Sequence, residues 1–442
     1  GAFALENNTT GVGNVAIGSW DSSTYQAPLT TNTVGSFNIA IGSGVLRLAN
    51  ENDNDGSVGI GYGALNNQAG TGGAQFANAT TAVGYKALEA MTTAAGNTAV
   101  GYESGKAITT GARNTAIGTQ AIHNTTVGED NVAVGWYALS GASTSSNNQR
   151  NVAIGTGSMS GTNAGAGNNV AVGYGTLDAN MTSAADNNTA VGYTALSAVT
   201  SGNYNVAVGA RCGDALTDGQ YNVFVGEFAG STTTSVSNAV FIGQSAGASG
   251  NITSAANGAV GIGLSALGSL TSGSGNTAVG YEALKTTATG SYNTCIGWRA
   301  GDVLPDGANS NTAIGYGALG AGNNATTDSN VCIGEGTGGT IEGGKQNTIV
   351  GTSSNVSSAS GINQTVVGYN ATGSADNTVV LGNASVHSVY MNQDGSANIV
   401  AGQMAIEDTA INKTTSYTGL KNSHTKTTGA TDSSDDMIGL ET

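Results

Sequence analysis

The stretch NTAVGYEAL at residues 276–284 decides the fold, because close copies of it recur along most of the 442-residue chain. The shared form is Asn, Thr or Val, Ala, Val or Ile, and Gly, often followed by Tyr-x-Ala-Leu. Self-similarity at a short period is the signature of repeat architectures. The chain is therefore predicted to be an array of short repeats. Other clean copies begin at Asn97, Asn114, Asn131, Asn188, Asn205, Asn311 and Asn347.

The glycine of this phrase sets the period. It occurs 21 times from Gly18 to Gly382, and ten of the twenty intervals are 17 residues. Seventeen residues are too few for a repeat that contains a helix, and the alternation of β-branched residues predicts a short strand. We predict an all-β parallel β-roll or β-solenoid of about 21 coils over residues 1–382. A second, weaker strand is expected over x-Ala-Leu, with Gly and Asn supplying the turns.

The alternation gives each strand two faces. Thr98, Val100 and Tyr102 lie on one face, and Ala99 and Gly101 lie on the other. A thin roll filled by Ala and Gly buries little area per residue, so a single chain is expected to be marginally stable. We therefore predict an obligate oligomer that buries the apolar columns between chains. The column residues are Val100, Ile117, Val134, Val191, Val208 and Val279.

The repeat resembles two known families. N-[TV]-A-[VI]-G resembles the head repeat of trimeric autotransporter adhesins, and the longer NTAVGYxAL form is closer to repeats of bacteriophage tail fibres. The resemblance covers about residues 1–382, although the 17-residue period is slightly longer than the adhesin coil. It implies a left-handed β-roll assembled as a homotrimer.

The same resemblance implies a structural and host-attachment protein. The leading interpretation is the shaft or receptor-binding region of a tail fibre on the virion surface, which contacts a host cell-surface receptor or glycan. The alternative in the same architecture is the head of a bacterial trimeric adhesin, located on the bacterial cell surface. An ice- or calcium-binding solenoid is a further alternative, but it needs regular ranks of outward Thr or Asp.

Both ends of the chain depart from the full coil. Gly1–Leu5 matches Gly84–Leu88, so the array is expected to start in mid-coil. Residues 383–442 follow the last glycine of the phrase. We expect them to form a cap and an irregular segment that leads to a further domain.

The charge excludes several partners. The chain has 28 acidic and 12 basic residues and a net charge of −16. Such a surface repels phosphate backbones, so no nucleic-acid partner is expected. No apolar run approaches the roughly 20 residues that a membrane span requires. We therefore expect no membrane insertion within this sequence.

The candidate chemical groups favour packing over catalysis. Cys212, Cys295 and Cys332 occupy Ala positions of the repeat, so they are interpreted as small buried residues that tolerate replacement by Ala. The three histidines share no motif with a nucleophile, and no carboxylate pair of a polysaccharide-cleaving enzyme is recognisable. We therefore predict no enzymatic activity and no cofactor. The acidic loop at residues 51–56 gives only weak metal-ligand candidates, Asp53 and Asp55.

Two features could contact a receptor. Aromatic residues follow the phrase glycine in many coils, and we interpret them as a structural ladder of stacked rings. Insertions between coils map to loops, which often form a binding face. The largest is Ser19–Pro28, followed by residues 66–79. Trp20 and Tyr25 in the first insertion are the receptor-contact candidates.

Overall fold

The computed structural model describes residues 1–20, 26–49, 55–68, 79–141, 143–145, 148–321, 324 and 326–386. Residues from Gly1 to His387 belong to one compact unit, and residues 387–442 lie outside the described residues. Of the segment expected to form a cap, only residues 383–386 are described. The described residues contain 21 strands of three residues and one turn of 3-10 helix at Ser254–Ala256.

The strands recur at the positions that the repeat predicts, and each is followed at once by the phrase glycine. They are β1 Val15–Ile17, β2 Ile39–Ile41, β3 Val58–Ile60, β4 Thr81–Val83, β5 Thr98–Val100, β6 Thr115–Ile117, β7 Val132–Val134, β8 Val152–Ile154, β9 Val170–Val172, β10 Thr189–Val191, β11 Val206–Val208, β12 Val223–Val225, β13 Val240–Ile242, β14 Val260–Ile262, β15 Thr277–Val279, β16 Thr294–Ile296, β17 Thr312–Ile314, β18 Val331–Ile333, β19 Thr348–Val350, β20 Thr365–Val367 and β21 Val379–Leu381.

All 21 strands form one parallel sheet in chain order. Each strand pairs with the next and in the same register, so that Thr98, Ala99 and Val100 of β5 lie opposite Thr115, Ala116 and Ile117 of β6. Each coil contributes one strand, and the chain then returns to place the next strand beside it in the same sheet. This arrangement is a parallel β-solenoid. The predicted all-β solenoid with a 17-residue period is confirmed.

The predicted second strand is wrong, because a pair of turns occupies that segment. The amide of Ala87 bonds to the carbonyl of Gly84 at 3.4 Å, and the amide of Glu89 bonds to that of Lys86 at 3.3 Å. Lys86 and Leu88 have positive φ values of 54° and 52°, outside the range of a strand. Adjacent Ala87 and Leu88 are both buried. A strand would place them on opposite faces, whereas consecutive turns direct both inward.

A thin layer of small apolar side chains fills the roll. The central residue of every strand from β2 to β20 is buried, and it is usually Ala. The Ala and Leu of the turn pack into the same interior, as Ala133, Ala138 and Leu139 illustrate. Each coil therefore buries only a few side chains, and a change of volume at one position requires compensation at another.

Large strand residues are compensated by glycine in the turn. The rings of Phe224 and Phe241 stack at 5.6 Å between centroids. A Cβ at Gly247 would lie 2.8 Å from the Phe241 ring, so the Leu found at this turn position in other coils does not fit. In all four coils with Phe or Cys at the strand centre, glycine stands six residues later. The pairs are Phe224 with Gly230, Phe241 with Gly247, Cys295 with Gly301 and Cys332 with Gly338.

The phrase glycines stack directly on one another. From Gly18 to Gly368 their φ values lie between 122° and 154°, a region that L-residues with a side chain rarely adopt. A Cβ at Gly192 would lie 2.3 Å from the carbonyl oxygen of Gly209 in the next coil. Both the backbone conformation and the close approach of coils therefore require glycine here.

The asparagine that precedes most of the strands forms a buried ladder. The Asn205 Nδ2 donates to Asn188 Oδ1 at 3.0 Å and to the Gly219 carbonyl at 2.9 Å, while its Oδ1 accepts from the backbone amide of Asn222 at 3.1 Å. These bonds satisfy polar groups that a thin interior cannot hydrate. The buried members are Asn38, Asn97, Asn114, Asn131, Asn151, Asn169, Asn188, Asn205, Asn222, Asn276, Asn293, Asn311, Asn330 and Asn347.

Candidate functional site

The first and third residues of each strand form an outward surface, here called the strand face. It consists mainly of Val, Ile and Thr in uninterrupted columns. Val100, Ile117 and Val208 are 37 %, 39 % and 39 % exposed, although they are large apolar residues. The remaining predicted column residues, Val134, Val191 and Val279, are partly exposed. A contiguous apolar surface of this length is typical of an interaction surface.

The residue after the phrase glycine forms a second surface, the aromatic column. Tyr85 stacks on Tyr62 at 5.6 Å and on Tyr102 at 5.2 Å between ring centroids. Farther along, Tyr174 and Tyr193 stack at 5.4 Å. The predicted structural ladder is present in these coils. The rings also remain partly exposed, so they can present faces to a ligand where the ladder has a gap.

One such gap forms a groove, here called the Thr156 groove. Thr156 stands where the flanking coils have the rings of Trp136 and Tyr174. The groove has a volume of about 670 Å³ and is lined by residues of four successive coils. Its lining includes Trp136, Tyr137, Thr156, Ser160, Tyr174 and Asp178. The sequence reasoning missed it, although alignment of the coils reveals the small residue between two aromatic ones.

A polar cluster lies on the adjacent coils around Glu103. Its carboxylate accepts from Lys106 Nζ at 2.7 Å and Gln120 Nε2 at 2.9 Å, and His123 Nε2 lies 3.2 Å away. Burial works to raise the pKa of Glu103, but the hydrogen bonds from Lys106, Gln120 and His123 outweigh it and lower the pKa to about 2. The carboxylate therefore remains ionised and links two adjacent coils, as a structural anchor does.

Of the two predicted receptor-contact residues, only Trp20 lies among the described residues. Trp20 is 50 % exposed, and its ring packs edge-to-face on Phe3 at 5.3 Å. Tyr25 lies outside the described residues, as do its neighbours at positions 21–24. Most of the second insertion, residues 69–78, also lies outside them. Their role as receptor contacts remains a prediction.

Of the two weak metal-ligand candidates, only Asp55 lies among the described residues. Asp53 lies outside the described residues. Asp55 Oδ1 accepts from the backbone amide of Ser36 at 2.6 Å, so it connects two coils. In the part of the chain that the structure describes, no three His, Cys, Asp or Glu side chains are grouped as metal ligands.

The three cysteines are free and buried. Burial raises the pKa of Cys212, Cys295 and Cys332 to about 12. A thiol with this pKa is almost fully protonated at neutral pH, and the thiolate is the nucleophilic form. The cysteines therefore act as interior packing groups.

No described helix is long and apolar enough to cross a bilayer. No protein-family model matches the chain, and a search of curated proteins finds no significant match. The chain is therefore placed by its architecture: it is a parallel β-solenoid repeat protein with an apolar strand face and a groove in its aromatic column.

Proposed function

We propose that this chain is a structural and host-attachment protein, a homotrimeric shaft or receptor-binding region of a phage tail fibre on the virion surface. The observation that carries the proposal is the strand face. One chain leaves its Val and Ile columns partly exposed along most of the sheet. Three parallel copies that turn these columns toward a common axis would remove them from water.

The apolar surface that one chain leaves exposed favours a permanent assembly. Burial of the exposed part of one Val or Ile contributes on the order of 1 kcal/mol. The third residue of the strands is Val, Ile or Leu in all 21 coils. Their summed contribution is larger than the cost of association, about 4–15 kcal/mol. The thin interior contributes little by itself, so folding and assembly are expected to be coupled.

Attachment follows from repetition of the outer surface. Every loop or groove outside the interface is present three times in a trimer. Weak contacts to a cell surface then combine, because the second and third binding events become intramolecular. A host cell-surface receptor or glycan is the proposed partner.

Two alternative functions are the head of a bacterial trimeric adhesin and an ice-binding solenoid. The head of a bacterial trimeric adhesin would use the same strand face, so the intact gene distinguishes it: a signal peptide and an outer-membrane anchor identify the adhesin, and a virion-attachment domain identifies the fibre. An ice-binding solenoid needs regular outward Thr. Four successive coils, β11 to β14, have Val at that strand position instead.

The oligomeric state provides the first test. Val208 lies beside Val191 and Val225 in the paired strands, so Val208→Asp would bury an unpaired charge in the proposed interface. We expect the mass of three chains for the wild type in light scattering and failure of assembly for the variant. Thr110→Asp changes an exposed residue of the connecting segment and serves as the matched control. A stable, folded wild-type monomer at micromolar concentration would refute the trimer.

Attachment is tested separately. Fluorescently labelled wild-type protein is incubated with a panel of bacterial strains and measured by flow cytometry. We expect saturable binding to particular strains, preserved in Thr110→Asp and strongly weakened in Val208→Asp through loss of multivalency. If trimeric protein binds to no strain, the trimer stands and the attachment function is wrong.

A further inference from the structure

The gap in the aromatic column has the dimensions of one missing ring. Neighbouring rings in this column stack at 5.2–5.6 Å in the tyrosine pairs, close to the spacing of adjacent strands. Trp136 and Tyr174 are two coils apart, with Thr156 between them. Their rings are therefore separated by roughly 10 Å, twice the strand spacing. A single ring-shaped ligand can lie between them, with one face toward each wall.

We propose that the Thr156 groove binds one pyranose ring of a neutral saccharide between Trp136 and Tyr174. The proposal rests on the attachment function above and names its receptor class. Trp136 is 56 % exposed and Tyr174 is 57 % exposed, so both side chains are accessible to a ligand in the chain. The groove volume of about 670 Å³ lies within the range of about 300–1,000 Å³ that small-ligand sites occupy.

The walls are held in place before a ligand arrives. The Trp136 ring packs edge-to-face on Tyr137 at 4.4 Å, and Tyr174 stacks on Tyr193 in the next coil. Backbone bonds join the coils beneath the groove, from Gly157 to Trp136 at 2.9 Å and from Gly175 to Thr156 at 3.1 Å. Rigid walls reduce the entropic cost of binding.

The polar lining suits hydroxyl groups. Ser160, Asp178 and Asn180 provide hydroxyl, carboxylate and amide groups along the groove. At its ends, Asn124 Nδ2 donates to the Ser140 carbonyl at 3.0 Å, and Asn180 Oδ1 accepts from the Thr162 amide at 2.9 Å. Apolar ring faces combined with a few placed polar groups are the composition that orients a hydroxylated ring.

The charge of the groove selects a neutral ligand. Among the described residues that line it, Asp178 is charged and none is Lys or Arg, and the whole chain has a net charge of −16. An anionic sugar or phosphate would be repelled. A peptide side chain is the competing occupant. The space between the two aromatic side chains holds a single ring. It therefore favours a compact saccharide ring over an extended peptide.

The test fills the gap with the residue that the neighbouring coils use. Thr156→Tyr would complete the aromatic column and occupy the proposed ring position. Thr119 also interrupts the column, between Tyr102 and Trp136, but it does not line the groove, so Thr119→Tyr is the matched control. Trp136→Ala removes one wall and is the second variant. Light scattering on each variant must first show the same assembly state as the wild type.

Binding is measured by saturation-transfer NMR on the purified assembly with methyl glycosides of neutral hexoses and N-acetylhexosamines. We expect a dissociation constant on the order of 1 mM for at least one pyranoside. Thr156→Tyr and Trp136→Ala should weaken it by about tenfold or more, which equals about 1.4 kcal/mol, and Thr119→Tyr should leave it unchanged.

Several outcomes would overturn the proposal. One is that no pyranoside binds to the wild type, and another is that binding is equal in Thr156→Tyr. Preferential binding of a tyrosine-containing tetrapeptide over all the glycosides would assign the groove to a peptide instead. Cell attachment in flow cytometry is a separate readout. Attachment that persists in Thr156→Tyr refutes the groove as the receptor site while leaving the attachment function intact.

Discussion

The two sides of each coil follow different rules. The strand side, exemplified by Asn205–Gly209, repeats nearly unchanged, because every position contacts the equivalent position of the next coil. The turn side, exemplified by residues 210–221, tolerates different lengths and side chains. Hydrogen bonds, close backbone contacts and interior volume constrain the first, whereas solvent surrounds much of the second. The comparison indicates that architecture is encoded on the strand side and that recognition can evolve on the turn side.

The largest effect is expected where the coils approach most closely. Gly192→Ala forces an unfavourable φ of 139° and places a Cβ 2.3 Å from the Gly209 carbonyl. Backbone strain and overpacking each cost about 1–3 kcal/mol, so a loss of about 4 kcal/mol in the free energy of unfolding is expected. Chemical denaturation followed by circular dichroism measures it.

The matched control for Gly192→Ala is Gly317→Ala on the turn side. Gly317 also has a positive φ, 58°, but a Cβ there would meet no atom within 4 Å. Equivalent positions hold Lys86 and Glu103 at similar φ, so a change below about 1 kcal/mol is expected. Equal losses for the two variants would show that strain, and not the contact between coils, fixes the phrase glycine.

The next effect tests the shared interior volume. Phe241→Ala removes a buried ring and should cost about 3–4 kcal/mol. Gly247→Leu alone should also destabilise, because its side chain would meet the Phe241 ring. The double variant restores the Ala–Leu pattern of Ala278 and Leu284, so it should be more stable than either single variant. Additive losses in denaturation would disprove compensation across the roll.

The Asn ladder should show an intermediate effect. Asn205→Ala removes four side-chain bonds and leaves buried partners on two neighbouring coils without them, so a loss of about 2–3 kcal/mol is expected. Hydrogen exchange should accelerate in the coils around Asn188 and Asn222. Gln244→Ala, an exposed amide bonded to Glu227 on the turn side, is the control and should change stability by less than about 0.5 kcal/mol. Equal effects would remove the distinction between the sides.

The strand side could be predicted from the sequence in detail. In the phrase Asn-Thr-Ala-Val-Gly, β-branched residues alternate with small ones, a glycine always follows, and the phrase recurs at a regular spacing. Together these features determine where each strand lies and in which register it pairs with the next. The prediction for the turn segment is wrong, because x-Ala-Leu, as at Ala87 and Leu88, resembles a short second strand when the φ values are unknown. The role of Asn was missed for a related reason. Its partners lie 14 and 17 residues away, and asparagine is also common in turns.

The groove could not be predicted from a single coil. Thr156 becomes informative only beside Trp136 and Tyr174, which come from neighbouring turns of the solenoid. The insertions instead directed attention to Trp20 and Tyr25. Long loops are conspicuous in a sequence, whereas a cavity formed by a small residue in a column of large ones is visible only when the coils are stacked.

The smallest expected effect concerns the cysteines at strand centres. Cys295→Ala conforms to the repeat, and the sequence alone predicts no loss. In the structure Cys295 is paired with Gly301, where a Cβ would lie 2.6 Å from the sulfur, so the sulfur occupies space that Leu fills in other coils. Ala therefore leaves a small cavity, and a loss of about 1 kcal/mol is expected.

Adding the missing volume should reverse the loss caused by Cys295→Ala. The double variant Cys295→Ala/Gly301→Leu reproduces the Ala313 and Leu319 arrangement of the next coil, so it should recover most of the wild-type stability in the same denaturation measurement. If Cys295→Ala is neutral and the double variant is destabilised, the interior adapts locally. Compensation would then be specific to the two phenylalanine coils, and the strand side would be less tightly constrained than the glycine and asparagine columns indicate.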